Sequence, residues 1–168
     1  MKKALLFLTL ILFSCNTAKD AHSENIVALT SECPTSGMCT LEILKDKAMV
    51  VKKDEFGRLY YEVEDSTDKN VIKFKYNKIV KGDIQDASYR EEIVMEWNRD
   101  MKSLSAAAMQ NAKLLFGRFC FCKGQTGYYK VTNGKLDIVS NSKQKNVTLD
   151  FKVDEVPQII SHISFVVK

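Results

Sequence analysis

The 168-residue sequence predicts an all-β fold, an antiparallel β-sandwich or partly open barrel of about ten short strands with at most one short helix. Three observations carry this expectation. Apolar residues recur at every second position over most of the chain, the period of a strand with one buried and one wet face. Turn-forming residues separate these runs. Only one segment, Ser103 to Leu115, favours helix.

Taken in order, Val50-Val51-Lys52 and Leu59-Tyr60-Tyr61 flank Asp54-Glu55-Phe56-Gly57, which reads as a hairpin turn. Ile72, Phe74 and Tyr76 alternate with Lys73, Lys75 and Asn77. Tyr89, Ile93, Met95 and Trp97 share a face, with Arg90, Glu92 and Glu96 opposite, and Glu91 breaks the pattern. Ser103 or Ser105 can cap a short helix. Ala106-Ala107-Ala108 favours it, and its weak apolar stripe predicts an early end, with a strand from about Lys113. In YYKVTNGKLDIV, Asn133-Gly134 suits a type I′ turn, because both positions need positive φ. That register opposes Val131 to Leu136, Lys130 to Asp137 and Tyr129 to Ile138. Val147, Leu149, Phe151 and Val153, then Ile163, Phe165 and Val167, complete the strand pattern.

The chain starts differently. Met1-Lys2-Lys3 is basic, and Ala4 to Phe13 is apolar except for Thr9. About ten residues make roughly 15 Å of helix, half of what a bilayer core of about 30 Å needs. The layout is that of an export signal. Its boundary, Leu12-Phe13-Ser14-Cys15, resembles the lipobox of bacterial lipoproteins. The resemblance implies cleavage before Cys15, a diacylglyceryl thioether on its sulfur, and anchoring of the chain to a lipid bilayer by two or three acyl chains. It divides the sequence into a signal peptide over 1–14, a polar tether over 15–25 and one β-rich domain over 26–168. The expected location is the cell envelope, exported and lipid-anchored. Asn16 does not resemble the aspartate signal for inner-membrane retention, so the outer membrane is favoured where one exists.

Composition agrees with a single domain. About 150 residues remain after cleavage, enough to bury close to 70% of the unfolded surface. Loss of Lys2 and Lys3 takes the formal charge from +4 to +2, and acids and bases interleave. This is no nucleic-acid signature.

Four further cysteines fall into an oxidising compartment if the chain is exported. Cys33 and Cys39 flank the loop CPTSGMC, and Cys120 and Cys122 sit in FCFC. Residues i and i+2 of a strand lie about 6.6 Å apart at Cα, near the limit for a disulfide. A Cys120–Cys122 bridge is therefore disfavoured. If all four are oxidised, the expectation is two long staples from the loop onto the FCFC strand, each closing about eighty to ninety residues. The alternatives are a single Cys33–Cys39 bridge with Cys120 and Cys122 reduced or redox-active, and a zinc site. C-x5-C and C-x-C do not match the usual C-x2–4-C spacing of zinc. Phe119 and Phe121 point to a buried, inert strand.

No catalytic constellation stands out. His22 lies in the tether, and His162 is the one histidine a Ser-His-Asp or Cys-His arrangement could use; it reads as a surface residue at a strand. Gly124 to Gly127, GQTG, lacks the strand and helix context of a phosphate loop and reads as a hairpin loop. Lys123, Gln125, Thr126 and Tyr128 on and beside it form the candidate binding loop, with Arg118 nearby. No metal or cofactor site is implied. The expectation is a lipid-anchored envelope protein whose β-domain is a non-enzymatic binding module for protein, peptide or glycan. The alternative is a thiol–disulfide redox or metal-binding protein using Cys120 and Cys122.

Overall fold

A computed structural model describes residues 26–82 and 87–168. The segments expected to be a signal peptide and a tether, with Cys15 and His22, lie outside the described residues. Among the described residues, eleven strands and one helical turn follow in the order β1(Ile26–Leu29), β2(Gly37–Leu44), β3(Lys47–Lys53), β4(Leu59–Asp65), β5(Lys69–Lys78), β6(Tyr89–Asn98), α1(Ala106–Met109), β7(Leu114–Cys120), β8(Gly127–Lys130), β9(Asn133–Ser140), β10(Lys145–Lys152) and β11(His162–Val167). They form two antiparallel sheets. The smaller has the order β1-β11-β10-β9, and the larger β2-β5-β6-β7-β8-β4-β3. The all-β sandwich expected from the period-two runs is what the chain adopts. No barrel closes, because β2 and β3 remain the edges of the larger sheet.

The main core lies between the sheets. Phe74, Tyr76, Ile93, Met95, Trp97 and Phe116 on one side meet Leu136, Val147, Leu149, Ile163 and Phe165 on the other. Each buried side chain of this size contributes roughly 1.5–3 kcal/mol. The larger sheet also buries its second face. Met49, Val71, Val94 and Leu115 form a separate cluster there, with Leu59, Tyr61 and Tyr128 against it. The β3–β4 hairpin folds over this face and is fastened to it. Met49 N donates to Glu96 Oε2 at 3.0 Å, and Lys113 Nζ donates to Met49 O at 2.8 Å. This explains why Glu91 to Met95 is buried at every position. The face of β6 that alternation assigns to solvent is roofed by another part of the same sheet.

Two local expectations hold. The turn at Asp54 to Gly57 joins β3 to β4, with Gly57 at φ 77° and Asp54 Oδ1 accepting from Phe56 N and Arg58 N. The helix is a single turn ending at Met109, and β7 starts at Leu114. Ser105 stands at its N-cap without a side-chain cap bond. Ser103 Oγ instead accepts from Ile138 N at 2.8 Å.

The Asn133-Gly134 hairpin does not form. β8 belongs to the larger sheet, paired with β7 and β4, whereas β9 belongs to the smaller one, paired with β10. Asn133 is already in the strand, opposite Lys152. Val131 and Leu136 are both buried in the main core, so the chain passes from one sheet to the other between them. Val131 N bonds Leu114 O, and Leu136 exchanges backbone bonds with Leu104. Gly134 is required for another reason: a Cβ there would stand 2.4 Å from Asp150 O and 2.9 Å from Phe151 Cα. Asn133→Ala is therefore expected to change stability by about 0.5 kcal/mol or less, as for an exposed strand residue, and Gly134→Val to cost about 1–3 kcal/mol through overpacking. Urea unfolding of both variants decides this. A larger loss at Asn133 than at Gly134 would restore the turn.

Candidate functional site

The cysteines pair locally. Cys33 and Cys39 lie at disulfide distance, 5.7 Å apart at Cα, and so do Cys120 and Cys122, at 5.2 Å. The long staples onto the FCFC strand are absent. The 6.6 Å spacing assumed a continuous strand, but β7 ends at Cys120 and the chain bends at Phe121, which brings Cys122 back. Phe121 is 79% exposed rather than buried. Among the described residues no group of three or more His, Cys, Asp or Glu is placed to hold a metal ion.

Strand register sets a row of chemistry across one end of the larger sheet. Cys39 is opposite Tyr76, Tyr76 opposite Glu91, Glu91 opposite Arg118, and Arg118 opposite Gly127. Glu91 is fully buried and Arg118 is 7% exposed. Glu91 Oε1 accepts from Ile159 N and Oε2 from Ile160 N, both at 2.7 Å. Tyr89 Oη donates to Glu91 Oε1 and accepts from Arg118 Nε at 3.3 Å. Arg118 Nη1 donates to Gln125 Oε1 at 2.8 Å and Gln125 O at 3.3 Å. One chain of polar contacts thus runs from Gln125 through Arg118, Tyr89 and Glu91 to Ile159 and Ile160. Among the described residues no buried side-chain nitrogen or oxygen lacks a partner.

The residues that Glu91 holds form a wall of an open cleft of about 440 Å³, lined by Thr30, Ser31, Glu32, Ile159, Ser161 and His162 among others. The β10–β11 connection builds this wall without regular pairing. Gln158 replaces the missing ladder: Oε1 accepts from Val153 N at 2.7 Å, and Nε2 donates to Ile160 O at 2.9 Å and Phe151 O at 3.2 Å. The opposite wall is tied down at Ser164, whose carbonyl accepts from Thr30 N at 2.7 Å and Ser31 N at 3.0 Å. The Cys33–Cys39 bridge fixes the segment that follows. His162 is exposed at the start of β11, and its Nδ1 is 2.6 Å from Asp150 Oδ1.

The candidate loop is placed beside this network, and much of its polarity is spent inward. Gln125 is bound by Arg118, and Thr126 Oγ1 donates to Arg118 O at 3.2 Å. Lys123 is exposed. Tyr128 is half-buried on the far face of the sheet. Its hydroxyl donates to Glu92 Oε2 at 2.7 Å, and its ring meets Phe119 and Tyr61 edge-on. Gly117 makes room, since a Cβ there would fall 2.6 Å from the Tyr128 ring. Glu91 and the cleft were not singled out from the sequence. The one available signal was a carboxylate at a position whose neighbours in phase, Tyr89, Ile93 and Met95, are apolar.

Burial, then the bond to Glu91, pushes the Tyr89 phenol up to about 12. Burial and Glu92 raise that of Tyr128 also. The unfolded chain loses these protons first, near the ordinary value of 10.0. Stability from this source is intact below that pH and is lost as pH rises towards about 12. Urea midpoints at about pH 9 and about pH 11.5 should therefore fall, and fall less in Tyr89→Phe/Tyr128→Phe. Equal falls in both proteins would remove the phenols as the cause.

An antiparallel sandwich with a braced, open cleft at one end defines a rigid β-scaffold with a preformed concave surface. No family model matches the chain, and no curated protein or solved structure matches it. Among the described residues no helix is long and apolar enough to cross a membrane.

Proposed function

We propose that this chain is an exported lipoprotein, held to the cell envelope through acylated Cys15, and that its sandwich is a non-enzymatic binding module. The observation that carries the binding reading is the open cleft of about 440 Å³ between Thr30–Glu32 and Ile159–His162. Its volume is in the range of small-ligand sites, and its walls are held by hydrogen bonds to Glu91 and to Ser164, so little ordering is needed when a ligand enters. The lining is mixed: hydroxyls of Thr30, Ser31, Ser161 and Ser164, with Glu32 and His162, alternate with the apolar Pro34, Ile159 and Ile160. A surface that offers hydrogen-bonding groups beside apolar ones suits a glycan, whose rings carry hydroxyls at the edge and C–H groups on the face, better than a wholly apolar ligand.

Two measurements test the proposal. Intact mass of the protein purified from membranes should give a chain beginning at Cys15 and carrying acyl groups; an unmodified chain would remove the anchor. Calorimetric titration with soluble cell-wall glycan fragments should show binding that Ser161→Ala/His162→Ala weakens about tenfold, roughly 1.4 kcal/mol. Replacement of Lys123 with alanine should leave it unchanged. The reverse pattern would move the contact to the Lys123–Thr126 loop.

A further inference from the structure

We propose that the Cys120–Cys122 bridge is an exchangeable disulfide that oxidises dithiols on an extended polypeptide, with Phe121 as the docking side chain. This activity is separate from the cleft and does not rest on it.

Four observations converge. First, the bridge spans one residue, so the loop-closure constraint it adds is far smaller than that of a staple across the sheets. Second, its surroundings hold their shape without it. Cys120 pairs with Tyr89 across β6 and β7. Cys122 O accepts from Gln125 N at 3.1 Å, and Arg118 grips Gln125 and Thr126 on the far side. The bridge can open while the fold stays closed. Third, Phe121 is 79% exposed between the two sulfurs' residues. A large aromatic side chain kept out of the core at this position gives an incoming apolar segment something to bind. Fourth, Lys123 is exposed directly after Cys122. A neighbouring cation favours the thiolate as leaving group.

The chemistry balances as two thiol–disulfide exchanges. A substrate thiolate attacks one sulfur of the bridge. A mixed disulfide forms, and the other sulfur leaves as thiolate and takes up a proton. The second substrate thiol, as thiolate, attacks the substrate sulfur of the mixed disulfide. The substrate departs with a new disulfide, and Cys120 and Cys122 are left as two thiols. Two electrons have passed from substrate to bridge. A low-molecular-weight disulfide restores the bridge by the same steps in reverse.

The test uses the full lipidated protein in detergent, equilibrated in glutathione buffers of graded ratio, alkylated, and mapped by mass. Cys120 and Cys122 should become reduced while Cys33–Cys39 stays oxidised and the far-ultraviolet circular dichroism is unchanged. The oxidised protein should then form the disulfide in a reduced peptide carrying two cysteines and a leucine-rich flank at least tenfold faster than Cys120→Ser/Cys122→Ser. Phe121→Ser should slow this step and leave the glutathione midpoint in place. Reduction of the bridge only with loss of the β-sheet signal would overturn the proposal. So would opening of Cys33–Cys39 first, or equal peptide oxidation by the serine variant.

Discussion

Glu91→Ala is expected to destabilise the domain by about 3–5 kcal/mol, the cost of breaking a buried charged network from one side. The carboxylate is fully buried and accepts from two backbone N–H groups of the cleft wall. Alanine leaves both donors without a partner and removes the acceptor of Tyr89. It also cuts the link by which Arg118 reaches the carboxylate through the Tyr89 hydroxyl. Glu91→Gln keeps the shape and one acceptor oxygen, so it should lose less. The check is urea unfolding together with amide exchange at Ile159 and Ile160, which should accelerate in the alanine variant before global unfolding. A loss below about 1 kcal/mol, within the range of an ordinary substitution, would mean that another group holds the loop.

Phe116→Ala should cost a similar amount, about 3–5 kcal/mol, for a different reason. Its side chain is fully buried at the centre of β7 and faces Phe151 of the opposite sheet, with ring centroids 5.9 Å apart. Truncation removes apolar area and leaves a cavity where the two sheets meet. Val63→Ala, on the exposed side of the β3–β4 hairpin, should lie within about 0.5 kcal/mol of the parent and serves as the control. Equal effects at the two positions would contradict the placement of the core between the sheets.

How far the fold was legible depends on the range of the forces involved. The Asp54–Gly57 turn could be read because an aspartate accepting from backbone two and four residues on, and a glycine at positive φ, act within the turn itself. The Asn133-Gly134 turn carried an equally good local signal and was wrong. Val131 and Leu136 could be buried either by pairing with each other or by facing the core from different sheets. The second arrangement buries them with Leu114, Leu104 and the rest of the core, and it places β9 against the full length of β10. Non-local burial outweighed a turn preference worth at most a cross-strand pair or two.

The candidate site was legible only in pieces. Arg118, Gln125 and Thr126 were picked out together and do lie together, joined by hydrogen bonds, with Gln125 and Thr126 exposed. The cleft joins residues near 30 to residues near 160, and no spacing rule connects those stretches. The sulfur pairing was misjudged because a strand geometry was extended two residues beyond the end of β7, to Cys122.

By itself, the sequence determined the class of fold, most strand positions, the short helix and one hairpin. All of these follow from side-chain period and backbone preference over a few residues. Tertiary structure alone decided which strands pair, which cysteines meet, and that Glu91 lies inside. Those outcomes depend on covering both faces of a curled sheet and on giving every buried polar group a partner. Both are conditions on the whole chain at once.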